Sequence, residues 1–357
     1  MARRITDYGR KRLQAGNRAL PFVSFPLSIG YESLIRARNR LYDSGYARID
    51  RLPVSVVSVG NLTLGGTGKT PTVIMLAGLL KERGYRPAVI SRGYGGTSRA
   101  SATIVSDGVN LLSTAGEAGD EPVLIARSLE GVPVATGRRR FIAGRAVLER
   151  FDSDILILDD AFQHRSLYRD VDIVLVDGIR PFGNGRVFPG GLLREPLSSI
   201  RRAHMVVVVD GPPRGIPEEI GERAGPYTPL FRAGRHAKDL LDCADGISLP
   251  LHSLRGESVA AFAGIAEPER FRATLAPWCG RVEPFLAFPD HHAYNEKDVE
   301  TIMAASSGRS IVTTEKDGVR LRRHPGFYRQ LKLLRIEMRL DPSPDELMSL
   351  LRRKIES

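Results

Sequence analysis

Val54-Ser55-Val56-Val57 runs directly into Ser58-Val59-Gly60-Asn61-Leu62-Thr63-Leu64-Gly65-Gly66-Thr67-Gly68-Lys69-Thr70-Pro71, and an apolar segment over residues 73–80 follows. The first run is apolar and β-branched and reads as a buried strand, while the last has helical length. Glycines between a strand and a helix let successive backbone N–H groups turn inward on an anion, and the helix begins with its positive dipole end facing that anion. Gly65, Gly66, Thr67 and Gly68 would form such a cradle, Lys69 would reach the β- and γ-phosphates of a nucleotide, and the Thr70 hydroxyl would ligate Mg²⁺. Pro71 suits the first turn of a helix, where its missing N–H costs little. Thr63 stands where the first glycine of the G-x-x-x-x-G-K-[ST] pattern belongs, the one departure from it. A glycine-rich turn that merely precedes Lys-Thr is the bland alternative, and the flanking strand and helix disfavour it.

The chain has 357 residues, enough for two domains and too many for one ordinary core. With 42% hydrophobic and 26% charged residues, disorder and coiled coil are excluded as overall classes. Cys243 and Cys279 lie far apart without metal-ligand spacing. They read as packing residues in a reducing compartment, which argues against a disulfide framework or zinc. A net charge of +11 asks for an acidic partner, and nucleic acid, anionic lipid and a phosphorylated substrate all qualify. Aromatic stacking motifs are absent, so nucleic-acid binding rests on charge alone. No apolar run reaches the roughly 18 residues that a membrane-spanning helix needs.

Residues 1–45 differ from the rest. Arg3, Arg4, Arg10, Lys11, Arg12 and Arg18 precede the apolar, aromatic run Leu20-Pro21-Phe22-Val23-Ser24-Phe25-Pro26-Leu27, which leads into a helix to about Tyr42. Leu27, Tyr31, Leu34, Ile35 and Leu41 share one side of it by 3–4 spacing. Two prolines and the lack of a small-residue cleavage site argue against a signal peptide. A basic amphipathic segment of this type either lies in the interface of an anionic membrane or docks on the first domain, and the residues alone leave both open.

Over residues 46–210 apolar strands alternate with helices, with strands expected at 54–59, 87–91, 103–105, 132–135, 155–158, 171–176 and 205–209. Strands apolar almost throughout belong to a parallel sheet covered on both faces, so an α/β P-loop core is expected, with ligands at the carboxyl ends of its strands. Residues 211–257 read as a connection. The alternation resumes over 258–357 as a second, smaller α/β domain.

Asp159 and Asp160 end the strand at 155–158, where carboxylates that hold Mg²⁺ should stand, although paired acids there are also common as solvated caps. His164 follows within a few residues. Asp120 and Glu121 open a helix, a position favoured for acids by the dipole alone, and also one from which a carboxylate could take a proton from an attacking hydroxyl. Residues 180–196 form a loop rich in Gly, Pro and Arg at the ligand end of the sheet. Asp290-His291-His292 lacks an evident third metal ligand, while an imidazole paired with a carboxylate across a cleft between domains is plausible chemistry for it.

Residues 59–71, Ser91-Arg92-Gly93-Tyr94-Gly95-Gly96, Gly119-Asp120-Glu121-Pro122, Asp159-Asp160-Ala161-Phe162-Gln163-His164, Arg180-Pro181-Phe182-Gly183-Asn184-Gly185-Arg186, Leu193-Arg194-Glu195-Pro196, Phe288-Pro289-Asp290-His291-His292 and Thr314-Glu315-Lys316-Asp317 together resemble the tetraacyldisaccharide 4'-kinase family of lipid A biosynthesis. Eight motifs in this order are specific where each alone is weak. The departure at Thr63 belongs to the family's own loop. Ala161 and Gly191-Leu192 differ from the family's more usual glycine and Gly-Pro without removing a chemical group.

The resemblance implies transfer of the ATP γ-phosphate, with Mg²⁺, to the 4'-hydroxyl of a tetraacyldisaccharide 1-phosphate. It places the chain peripherally at the cytoplasmic face of the bacterial inner membrane. By the same resemblance Lys69 and Thr70 hold phosphates and metal, Asp159, Asp160 and Glu195 form the metal-site acids, and Asp120 is the base supported by His291. Glu121 and His164 match further active-site positions, and Asn61, Arg92, Gly93, Tyr94, Arg138 and Arg140 lie where substrate contacts are expected. A lipid substrate and the membrane surface are the expected partners, with no nucleic acid and no obligate protein partner. A membrane-associated P-loop ATPase switch is the competing reading, using the same loop and acids.

Overall fold

The apolar β-branched run before the glycine loop forms β1 (Ser55–Asn61), buried along its length after the first residue. The computed structural model describes residues 21–212 and 215–356, with side chains in the first helix from Pro26 onward. The arginine-rich residues 1–20, and the side chains of the apolar run through Phe25, lie outside that description. Two faces must be covered to bury such strands, and helices cover them. The remaining strands are β2 (Pro87–Ser91), β3 (Thr103–Ser106), β4 (Val134–Thr136), β5 (Ile155–Asp159), β6 (Val171–Asp177), β7 (Met205–Val209), β8 (Leu230–Asp242), β9 (Ser248–Leu249), β10 (Ser258–Ala263), β11 (Arg281–Ala287), β12 (Ile311–Thr314) and β13 (Leu331–Asp341).

Among the described residues these strands join one mixed sheet in the order β11-β10-β12-β13-β8-β7-β6-β1-β5-β2-β4-β3, with β9 on the side of β8. The pairings from β8 to β4 are parallel, and β3 is an antiparallel edge. The pairings from β11 to β13 are parallel again. One antiparallel seam, β13 against β8, joins the two parallel blocks. Residues 211–257, expected as a connection, therefore supply a thirteen-residue strand of the sheet. Its signal is weak because Arg232, Arg235, His236, Lys238 and Asp239 interrupt the apolar residues, and much of the strand is only half-buried.

Seven helices matter below: α1 (Pro21–Asp43), α2 (Lys69–Glu82), α3 (Asp120–Ser128), α4 (Arg140–Leu148), α5 (Pro268–Leu275), α6 (Glu315–Leu321) and α7 (Asp345–Ile355). Helix α2 buries Val73, Leu76, Ala77 and Leu80 against the sheet at 3–4 spacing. The C-terminal α7 returns to this same core through Leu347, Met348 and Leu351. Ser55 Oγ donates to Ile355 O at 3.1 Å, and Arg83 pairs with Asp345 at 3.0 Å. Both ends of the chain's fold are thus tied to the first block.

β1 passes under Phe162 at Gly60, where a Cβ would lie 2.7 Å from Phe162 Cβ and 2.8 Å from Phe162 N. Backbone cannot give way as a flexible side chain would. Gly60→Ala is expected to destabilise the fold by about 2 kcal/mol through overpacking. Denaturant unfolding of the two proteins checks this.

Candidate active site

The loop between β1 and α2 is held open by its own side chains. Asn61 Nδ2 donates to Thr63 O and to Thr67 Oγ1, both at 2.8 Å. Arg235, from β8, donates to the Gly66 carbonyl at 3.1 Å. Gly65 at φ 146° and Gly68 at φ 81° supply the positive dihedrals that turn the chain. Among the described residues the N–H groups of Gly65, Gly66, Thr67 and Gly68 donate to no protein group, and nothing would lie within 4 Å of a Cβ at Gly66. The loop is a set of unspent donors facing open space, which suits a polyphosphate. Asn61, expected among the substrate contacts, is completely buried and braces the loop.

Lys69 Nζ lies 3.3 Å from Asn61 Oδ1 and 3.7 Å from Asp160 Oδ1. Burial pushes its ammonium pKa down, and Asp160 offsets part of that. Asp160 sits at φ 49° and receives both hydrogen bonds of Arg194 Nη1, each 2.9 Å. Burial opposes its ionisation, yet Lys69 and Arg194 hold it far below the usual carboxylate range. Its neighbour Asp159 accepts from Ser91 Oγ at 3.0 Å. Burial, then Glu121 and Asp160, push Asp159 up to about 7.

The Thr70 hydroxyl makes no hydrogen bond among the described residues, and with the two aspartates it forms a set of hard oxygen donors. Among the described residues no three His, Cys, Asp or Glu side chains converge as a complete cage. That set fits Mg²⁺, which keeps waters and phosphate oxygens and needs only one or two carboxylates.

Asp120 opens α3 after Gly119 and meets two residues from the other parallel block. His291 Nδ1 is 3.4 Å from Asp120 Oδ2, and Arg320 Nε donates to the same oxygen at 2.6 Å. Burial works against the Asp120 carboxylate, but the hydrogen bond with His291 and the Arg320 cation keep it below its ordinary pKa. Glu121 accepts from Lys316 Nζ at 2.6 Å, and that cation holds it ionised against burial. The half-exposed Tyr94 ring packs edge-on to His291 at 5.8 Å. Gly93, at φ 72°, lets this turn pass within reach of Ala118 O and Thr136. Arg92 and Arg138 are exposed beside it.

Three expected site residues stand elsewhere in role. Glu195 is fully buried and accepts from Arg38 at 2.7 Å, Arg202 at 2.7 Å and Asn39 at 3.3 Å. Its carboxylate, expected among the metal-site acids, ties α1 to the loop after β6. Arg140 is buried beneath the acids and donates to Asp159 O at 3.4 Å and Gly137 O at 3.3 Å. Burial brings it down to about 10, and it supports the strand end where a substrate contact was expected. His164 Nε2 lies 3.2 Å from Ser166 Oγ, and burial together with Arg140, Arg169 and Arg92 pushes its pKa down to about 4, so it is neutral at physiological pH. Lys316 and Arg194 were visible only as members of motifs. Arg235 and Arg320 gave no signal at all, since a lone arginine in a basic chain has no distinguishing spacing.

A glycine loop with unspent donors, a lysine and hydroxyl at the helix start, and acids on the adjacent strand end define a P-loop nucleotide-binding protein. The family model described as Tetraacyldisaccharide-1-P 4'-kinase matches residues 20–356, and the chain belongs to that family. The tetraacyldisaccharide 4'-kinase of Syntrophus aciditrophicus (strain SB) is 46% identical over 329 residues, covering 88% of each chain. That of Geobacter sulfurreducens is 43% identical over 318 residues, covering 88% of this chain and 89% of the other. Among solved structures, LpxK from Aquifex aeolicus, described as an "apo" form in complex with ATP, matches with a TM-score of 0.76 and 36% identity, over 93% of this chain and 98% of that one.

His164 gives a test of the site's electrostatics. Its pKa is lower folded than the ordinary 6.5, so the unfolded chain binds the proton better and stability falls as pH drops from about 6.5 towards 4. His164→Gln should remove about 1–2 kcal/mol of that acid loss while changing stability little at pH 8. Denaturant midpoints measured at pH 4.5 and 8 read the difference directly.

Proposed function

We propose that the chain transfers the γ-phosphate of Mg-ATP to the 4'-hydroxyl of a tetraacyldisaccharide 1-phosphate. The observation that carries this reading beyond family membership is the Asp120–His291 pair, assembled from two separate parallel blocks of the sheet. A switch ATPase needs the loop and the metal acids but has no use for a base built across a cleft. In the proposed reaction the loop N–H groups and Lys69 bind the triphosphate. The Asp120 carboxylate accepts the hydroxyl proton, and His291 and Arg320 fix its orientation. Thr70 and the Asp159 and Asp160 carboxylates would hold Mg²⁺, which would supply positive charge at the phosphates. Arg92, Tyr94 and Arg138 border the acceptor side.

An acylated acceptor stays in a bilayer, so the chain must reach it. No helix among the described residues is long and apolar enough to cross a membrane. Helix α1 buries Ser28, Ile35 and Asn39 on the core and leaves Leu27 60%, Leu34 70% and Leu41 52% exposed beside Tyr31. We place this outward stripe, with the arginines before it, on an anionic leaflet as a peripheral contact at the cytoplasmic face of the inner membrane. We propose a division into an N-terminal segment 1–45, a core 46–210, a joining stretch 211–257 that carries the seam strand β8, and a smaller unit 258–357.

Labelled γ-phosphate should appear in the lipid when Mg-ATP and a tetraacyldisaccharide 1-phosphate are incubated in mixed micelles, and not with Lys69→Ala. Label released only as inorganic phosphate would favour the switch ATPase. Asp120→Ala should lower turnover about 10³-fold while ATP still binds, because it removes the base and leaves the phosphate cradle. Replacing Leu27, Leu34 and Leu41 together by Ser should weaken sedimentation with anionic vesicles and leave ATP affinity unchanged. Unaltered sedimentation would reduce α1 to a docked helix.

A further inference from the structure

The segment Thr314-Glu315-Lys316-Asp317 has no part in the reaction described so far, yet its residues are placed with care. Thr314 Oγ1 donates to Asp317 Oδ2 at 2.7 Å and accepts from Asp317 N at 3.1 Å, which caps α6. Asp317 is completely buried and also accepts from Gly264 N at 3.1 Å, Tyr294 OH at 2.9 Å and Arg320 Nη1 at 2.9 Å. Arg320 is fixed as well, donating to Gly264 O at 2.8 Å and to Asp120. Around this rigid platform His291 N donates to Gly264 O at 3.1 Å. The platform therefore sets the position of the imidazole and of one guanidinium against α3.

Lys316 stands on the same platform but is held differently. Its Nζ is bonded to Glu121 Oε1 at 2.6 Å, and neither side chain is sealed, with 30% and 29% of their surfaces exposed. Lysine carries its charge on a flexible four-carbon stem as a point cation, unlike the forked, fixed Arg320. Glu121 adjoins Asp120 in the first turn of α3 and lies within electrostatic reach of Lys69 and Asp160. The ammonium of Lys316, from the other parallel block, is thus held at a carboxylate that adjoins the proton acceptor and is itself within electrostatic reach of Lys69.

We propose that Lys316 is a catalytic cation supplied across the cleft: it exchanges Glu121 for the transferring phosphoryl group when the triphosphate is bound. The proposal rests on the kinase reading above. A triphosphate brings several negative charges next to Glu121, which weakens the hold of that carboxylate on the lysine and offers it a stronger anion. In the step itself the acceptor oxygen forms a bond to the γ-phosphorus as the bond from that phosphorus to the β,γ-bridging oxygen breaks. The electron pair leaves on ADP and the hydroxyl proton goes to Asp120. Lys316 keeps its protons throughout and sets positive charge against the negative charge carried by the equatorial oxygens.

The test uses the full chain with Lys316→Met, which keeps the stem and loses the charge, and Lys316→Arg, which restores a cation. Affinity is measured for Mg-ATP and for Mg-ADP with aluminium fluoride, a planar mimic of the transferring phosphoryl group. Lys316→Met should bind Mg-ATP within about threefold of the original protein and the fluoride complex about 100-fold more weakly, with turnover falling in parallel. Lys316→Arg should recover part of the fluoride affinity. A Met variant that binds the fluoride complex as tightly as the original, or that fails to fold, would show Lys316 to be a staple between the blocks and overturn the proposal. Failure of the original protein to phosphorylate the lipid would instead overturn the kinase reading, since the fluoride measurement needs no acceptor.

Discussion

Ten cross-strand pairs between β13 and β8, from Lys332 opposite Asp242 to Asp341 opposite Arg232, hold the two parallel blocks in one sheet. The chemistry depends on this seam. It carries β12 and α6 into range of α3, and so brings His291, Lys316 and Arg320 to Asp120 and Glu121. It also backs the phosphate loop directly: Met338 Cε would lie 2.7 Å from a Cβ at Gly68, and Arg235, its cross-strand partner, bonds to Gly66 O. The same two strands therefore shape the nucleotide cradle and position the residues that face it. A bulge between Arg335 and Ile336 sharpens the local twist, and the Arg335–Asp239 pair spans the strands beside it.

Around the loop, two neighbouring carboxylates are driven apart in acidity by their surroundings. Asp160 receives Lys69 and Arg194 and stays ionised. Asp159, equally enclosed but facing Ser91 and two other acids, is pushed up to about 7. Like charges in a low-dielectric site cannot all ionise without cations to match. Arginines take part in this balance: Arg140, which was expected to reach substrate, lies beneath Asp159, and Arg194 grips Asp160. A further arginine, Arg270 on α5, bridges Asp177 at 3.1 Å and Asp210 at 3.6 Å and ties the second block to the ends of β6 and β7.

The fold was legible wherever burial forced a pattern. β2, β7 and β10 begin and end where their apolar runs do, because strands covered on both faces have no polar positions to blur them. β8 was not legible, since a seam strand flanked by charged partners shows neither a continuous apolar run nor clean alternation. The loop and the strand-end acids were visible because a phosphate site asks for those residue types at those places, whereas the pairing of Asp120 with His291, now seen as a contact, came from the family resemblance. Glu195, Asn61 and Arg140 show what a motif leaves open: it says that a residue belongs to the site region, and the hydrogen bonds these three make show what each braces. Arg320 and Arg235 were invisible because their partners lie 200 and 169 residues away in sequence.

Helix α1 reverses the usual rule for a helix on a globular surface. Its inward side carries Ser28, which accepts from Gly190 N at 2.6 Å, Asn39 and the aliphatic Ile35, while Arg38 and Arg165 complete the attachment through Glu195 and Asp43. Its outward side carries leucines. Polar contacts fix orientation with little hydrophobic gain, so they hold the helix at a defined angle without consuming its apolar residues. The leucine stripe left facing away would be a liability on a surface that met only water. It becomes intelligible if that face meets a lipid surface. Because Glu195 follows Arg194, which grips Asp160, the docking side of the helix is joined through adjacent residues to the acids of the phosphate site. The attachment of the helix and the geometry of the strand-end acids are in that way carried by one short stretch of chain.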